Sequence, residues 1–135
     1  MTAADKVFAG SIPGLYDKHL GPMLFQPYAD DLAARAAEIA PKDVLETACG
    51  SGIVTMALRN ALPEARITAT DLNPGMLDVA KAKRGAGRIS WRACDACHLP
   101  FDDARFDLVV CQFGVMFFPD KPAAYAEARR VLRPG

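Results

Sequence analysis

Glu46-Thr47-Ala48-Cys49-Gly50-Ser51-Gly52 sets two glycines two residues apart behind an acidic residue. Glycines in such a turn let the backbone approach a ligand closely. A helix opening directly after them offers N–H groups and partial positive charge to an anion. Asp71 follows 21 residues after Gly50. A carboxylate at that remove in a βαβ unit accepts hydrogen bonds from both hydroxyls of a ribose. The pair therefore points to a nucleoside ligand. A dinucleotide site favours G-x-G-x-x-G, and read from Gly50 the third position is Thr55, a mismatch. The spacing acidic-x-[Gly/Ala]-x-Gly-x-Gly, here Glu46-x-Ala48-x-Gly50-x-Gly52, suits a ligand with an amino-acid tail instead. The tail's carboxylate meets backbone N–H groups, and its ammonium lies near acidic charge. Further along, Asp95 can accept from an adenine amino group, with the Ala96 N–H beside it for a ring nitrogen. Gln112-Phe113-Gly114 adds a polar residue and an aromatic at the same sheet edge.

Other reactive side chains are fewer. His19, Tyr16 and His98 are the candidates by type for a general base, and none stands in a pattern that assigns it that role. Cys94-Asp95-Ala96-Cys97-His98 matches the C-x-x-C-H haem-attachment pattern, yet its aspartate serves the nucleoside reading. No second close pair of Cys or His completes a metal site. Cys49, Cys94, Cys97 and Cys111 are read as reduced thiols, Cys111 as a small hydrophobe in an apolar run.

The elements that must position these groups alternate. Residues 13–28 mix Pro13, Gly14, Gly21, Pro22 and Pro27 with large apolar side chains, which predicts an arm of short turns. A helix is predicted from Tyr28 to Ala40, with Leu32, Ala36 and Ile39 on its apolar face. Strands follow at Val44–Ala48, Arg66–Asp71, Ile89–Cys94 and Phe106–Gln112. Helices are expected at Ile53–Leu62, from Pro74 to about Arg84 behind an Asn73 cap, and from near Asp120 until just before Pro134-Gly135. The last should bury Ala124, Ala128 and Val131. Strand starts about twenty residues apart are the βαβ rhythm of a parallel sheet, whose ligands sit at the strands' carboxyl ends. The connection Asp95–Arg105 is too short for a full helix and holds Pro100, so it reads as a loop.

Composition limits the partners. The chain has 135 residues, 51% hydrophobic and 24% charged, with 16 basic and 16 acidic side chains. That is an ordinary globular composition with no general field to attract nucleic acid or anionic membrane. The first residues lack a basic region followed by an apolar one, and the most apolar run, Leu108–Phe118, falls short of the roughly 20 residues that span a bilayer. A cytoplasmic chain with no membrane partner is expected. Lys81, Lys83, Arg84, Arg88 and Arg92 read as a solvated face rather than a nucleic-acid surface.

Taken in order, Val44–Gly52, Thr70–Leu77, Asp95-Ala96, Leu99–Phe101, Phe106-Asp107 and Arg130–Gly135 resemble the class I S-adenosylmethionine-dependent methyltransferases of the bacterial small-molecule and quinone type. The resemblance spans about residues 10–135 and implies a three-layer α/β Rossmann-like fold. Its parallel sheet has order 3-2-1-4, without the family's usual strands 5–7. One domain is implied, with residues 1–41 as an N-terminal arm and helix and residues 42–135 as the cofactor-binding half. S-adenosyl-L-methionine is the implied cofactor, held by Glu46, Ala48, Cys49, Gly50, Gly52, Asp71, Leu72, Met76, Asp95, Ala96 and Gln112, with Tyr16 and Phe25 closing over it from the arm. The implied activity is methyl transfer to a small-molecule acceptor, the alternative being a non-catalytic fragment that binds a nucleoside cofactor. Ala48 departs from the family's usual loop glycine, and Cys94-x-x-Cys97-His98 is unusual for it. Asp107–Cys111 reads as an interior strand, apolar on both faces, so an unpaired edge there is expected to be covered by self-association or in some other way. A strictly monomeric species with that strand open to solvent counts against the expectation.

Overall fold

In the computed structural model, residues 24–83 and 85–135 are described. Helix α1 (Gln26–Ile39) takes Pro27 into its first turn, where the missing N–H costs nothing, and ends where Ala40 turns left-handed before Pro41. Strand β1 (Asp43–Glu46) follows and is buried at all four positions. Helix α2 (Ile53–Ala61), strand β2 (Arg66–Asp71), helix α3 (Pro74–Lys81) and strand β3 (Ser90–Ala93) alternate after it. Strand β4 (Leu108–Val110) and helix α4 (Lys121–Val131) complete the order.

All strand pairs are parallel, in the order β3-β2-β1-β4. Val44 stands opposite Ile67 on one side and Leu108 on the other. Because side chains alternate along a strand, neighbours on β1 serve two cores. Val44 joins Ala29, Ala33, Ala36, Leu58, Ile67 and Val110 beneath α1 and α2, while Leu45 joins Leu99, Phe106 and Val131 beneath α4. Each of the two is fully buried, and burying a side chain of that size contributes about 1.5–3 kcal/mol.

Several expectations change in detail. Helix α1 starts two residues earlier than its periodicity predicts, and its buried face is Ala29, Ala33 and Ala36. Ile39, expected inside, is 59% exposed. Small residues let α1 lie close on α2, and the larger side chains are displaced to the rim. Ala128 is half-buried rather than core, and α3 ends at Lys81, short of Arg84. β1, β3 and β4 are shorter than their apolar runs. β4 keeps three residues: Phe106 pairs with Leu132 in an isolated parallel bridge, and Cys111 already belongs to the next loop.

Two side-chain caps and one ionic cluster fix the ends. Asn73 accepts from the Gly75 N–H at 2.9 Å and Asp120 from the Ala123 N–H at 3.0 Å, each satisfying an orphan donor of its helix. At the amino ends of the strands, Arg66 clasps Asp43 at 2.6 and 2.9 Å. Arg133 reaches Asp43 at 3.1 Å and Asp107 at 2.7 Å. Asp107 also accepts from the Lys42 and Asp43 N–H groups, which holds its carboxyl down at about 2. No described helix is long and apolar enough to cross a membrane.

Candidate functional site

The chain runs from β1 outward through β2 to β3 and then crosses back to lay β4 on the other side of β1, so the loops after β1 and β4 part and open a crevice at the carboxyl ends. A cleft of about 290 Å³ lies there. Its floor is the turn between β1 and α2. Ala48 and Gly50 are left-handed, at φ 53° and 57°, and Cys49 donates its N–H to the Thr70 carbonyl at 2.9 Å. The turn is thus bound edge-on to β2.

Asp71 tightens that attachment. One carboxylate oxygen accepts from the Gly50 N–H at 2.9 Å and the other from the Asn73 N–H at 2.8 Å. Beneath the turn, Glu46 is 2% exposed and accepts the Thr55 hydroxyl on Oε1. Burial lifts its carboxyl to about 8, the Thr55 hydrogen bond opposes the rise, and the Asp71 charge adds to it. Thr55, the residue that spoils the dinucleotide spacing, is the side chain that satisfies this buried acid.

The loop after β3 forms one wall. Asp95 Oδ1 accepts from the Cys97 N–H at 2.8 Å and its carbonyl from the His98 N–H at 3.0 Å, a tight turn that turns the chain back along the sheet's edge. The loop after β4 forms the opposite wall. Gly114 comes so near the β1 turn that a Cβ on it would fall 2.4 Å from that of Ala48. Phe113, left-handed at φ 64°, packs edge-on against Tyr28 at 5.4 Å and tilted against Phe25 at 5.9 Å. Gln112 donates to the Tyr28 carbonyl at 3.0 Å, tying this wall to α1.

Of the residues named from sequence, Phe25, Glu46, Ala48, Cys49, Gly50, Asp71, Leu72, Met76, Asp95, Ala96 and Gln112 line the cleft together. Gly52 does not. At φ 87° it caps α2, and a Cβ there would meet Ala80 Cβ at 3.0 Å and the Trp91 ring at 3.4 Å, so it serves helix packing instead. Tyr16 and His19 lie outside the described residues. His98 is exposed and off the cleft lining, near Asp95 at 3.7 Å. The Cys97 thiol donates to the Asp120 carbonyl at 3.4 Å. Among the described residues no three His, Cys, Asp or Glu side chains are grouped to hold a metal. Sequence reasoning passed over Phe117, Phe118 and Pro119, which complete the apolar mouth. Their one signal is the density of aromatics between Phe113 and Phe118.

The methyltransferase domain family matches residues 44–135. The chain belongs to the class I S-adenosylmethionine-dependent methyltransferases. Its sequence is 42% identical over 105 residues to a demethylmenaquinone methyltransferase of Deinococcus radiodurans, covering 76% of this chain and 44% of that protein. It is 39% identical over 106 residues to a malonyl-[acyl-carrier protein] O-methyltransferase of Hahella chejuensis, covering 78% of this chain and 38% of that protein. Among solved structures, the amino pentose methyltransferase CalS10 of Micromonospora echinaspora, with S-adenosylmethionine bound, superposes with a TM-score of 0.74 at 25% identity. That match covers 90% of this chain and 52% of the other. This methyltransferase chain therefore spans less than half the length of the curated relatives it matches.

Proposed function

We propose that the cleft binds S-adenosylmethionine and that the chain supplies the cofactor half of a methyl transfer to a small-molecule acceptor. The observation that carries the reading is the Asp71 carboxylate. It braces the Gly50 turn and stands at the carboxyl end of β2, where a carboxylate accepts from ribose hydroxyls. When bound, the cofactor supplies an electrophilic methyl group on a sulfonium, whose leaving group departs neutral. The turn at Ala48–Ser51 sets the amino end of α2 beside the carboxylate of the amino-acid tail, and Glu46 places a carboxyl acceptor below the ammonium. Asp95 and the Ala96 N–H face the adenine edge, with Leu72 and Met76 against its ring. For an in-line displacement much of the acceleration comes from alignment and exclusion of water, an effect reaching about 7–11 kcal/mol in the best cases.

The mouth supports an acceptor with an apolar body. Phe113, Phe117 and Met116 are 42%, 50% and 61% exposed beside the cleft. An apolar patch of this kind at a concave site marks a ligand surface. The relatives named for demethylmenaquinone fit that character.

Calorimetric titration with S-adenosylmethionine tests the proposal. Saturable heat is expected, weakened at least about tenfold in Asp71→Ala, since two hydrogen bonds to a charged acceptor are lost together with the loop brace. Absence of heat in the parent chain overturns cofactor binding. Binding without transfer of a radiolabelled methyl group to quinone-like acceptors leaves the chain as a binding unit and removes the catalytic half of the claim.

A further inference from the structure

The wall that carries Asp95 has no regular secondary structure from residue 95 to residue 107. It is nonetheless held, and one side chain does most of the holding. Arg130, on the last turn of α4, donates from Nε to Glu127 at 2.6 Å and from Nη1 to the Phe101 carbonyl at 2.8 Å and Asp103 at 2.7 Å. Its Nη2 donates to the Leu99 carbonyl at 2.9 Å and to Glu127 at 3.2 Å. A guanidinium has five N–H donors in a rigid fork, and these bonds use all of them. Glu127 returns the favour by accepting the Leu99 N–H at 2.8 Å. Both backbone polar groups of Leu99 are thus fixed by this one ion pair, and its side chain is 5% exposed in the core beneath α4. Leu99 directly follows the Asp95–His98 turn, whose geometry sets where the Asp95 carboxylate lies. The Cys97 thiol on the Asp120 carbonyl fastens the same turn to the other end of α4.

We propose that Arg130, with Glu127, is a positioning residue for base recognition. It acts through Leu99 to hold Asp95 and Ala96 against the adenine edge, and so helps set the preference for adenine over other purines. This inference rests on the reading of the cleft as an S-adenosylmethionine site. The α4 carboxyl end never enters the cleft, so Arg130 works without touching the ligand. A loop lacking its own backbone ladder needs such external partners, because every buried N–H and C=O must be satisfied somewhere. A single polar pair at Leu99 therefore does the work that a crossover helix performs elsewhere in the sheet.

The test compares S-adenosylhomocysteine with S-inosylhomocysteine, in which the purine amino group is replaced by a carbonyl oxygen that would face the Asp95 carboxylate. In the parent chain the adenine compound is expected to bind at least about tenfold more tightly, the scale of one hydrogen bond to a charged group. Arg130→Gln is expected to bring that ratio toward unity. Lost stability alone would weaken both ligands equally and leave the ratio unmoved. Glu127→Gln and Asp103→Asn, which each remove only part of the network, serve if Arg130→Gln does not fold, and should lower the ratio by smaller steps. A ratio unchanged in the folded variants overturns the proposal, as does a parent chain that binds both compounds equally. A parent chain that binds neither refutes the cofactor reading itself, a separate result.

Discussion

Glu46 combines two demands that conflict: acidic charge near a cationic ligand and a place with almost no solvent. Burial dominates, and the folded carboxyl titrates at about 8 rather than at its ordinary 4.5. The folded state therefore keeps a proton that the unfolded chain releases above 4.5. The stabilisation this gives is complete below that value and is lost as pH rises toward about 8. Glu46→Gln removes the titration while leaving an oxygen for the Thr55 hydroxyl. Urea unfolding at pH 5, 7 and 9 should show parent stability falling across the range and the variant losing that component of the slope. A variant that keeps the full slope assigns the titration to another group.

Between elements, the decisive contact is that of the two loops bounding the crevice. Gly114 leaves no room for a Cβ, because Ala48 stands 2.4 Å away and the Cys111 sulfur 3.2 Å away. Gly114→Ala should cost about 1–3 kcal/mol, as overpacking does, and weaken cofactor binding by prising the β4 loop from the β1 turn. Ala48→Gly should recover part of that cost, since it removes the nearer obstacle and relaxes a left-handed alanine at φ 53°. Chemical denaturation of the two single variants and the double variant measures the coupling; strict additivity contradicts the contact. Which elements exist was legible in the sequence because local chemistry announces them: Asn73-Pro74 starts α3, Pro41 follows α1, and the glycine turn opens α2. The cleft's floor and its Asp95 wall were legible for the same reason, being short motifs at strand ends. Ile39 misled because periodicity ranks side chains by size, whereas α1 packs through its smallest ones. Gly52 misled because a glycine needed for close packing and a glycine needed for a ligand look alike in a spacing pattern. Arg130 was hidden among neighbouring arginines, and its worth lies in five hydrogen bonds to Leu99, Phe101, Asp103 and Glu127.

Across the molecule, the end of the sheet opposite the cleft is held by charge. Asp43, Arg66, Asp107 and Arg133 join the starts of β1, β2 and β4 to the segment after α4. Backbone N–H donors and Arg133 keep Asp107 at about 2, below its ordinary 3.8. Its stabilisation is present above 3.8 and drains away as pH falls through about 2. Asp107→Asn should be less stable than the parent at neutral pH and should lose less on acidification, read by circular dichroism between pH 5 and 2. Equal acid profiles dismiss the role. The Gly50 turn and its Asp71 brace require only β1 and β2, whereas Phe113, Gly114 and the second wall depend on β4, the shortest strand. Ligand bound across both walls is linked to the docked strand and stabilises it by mass action. With S-adenosylmethionine in the proposed site, occupancy of the cleft would work as a latch on the sheet's shortest strand and make the ligand a structural partner of β4.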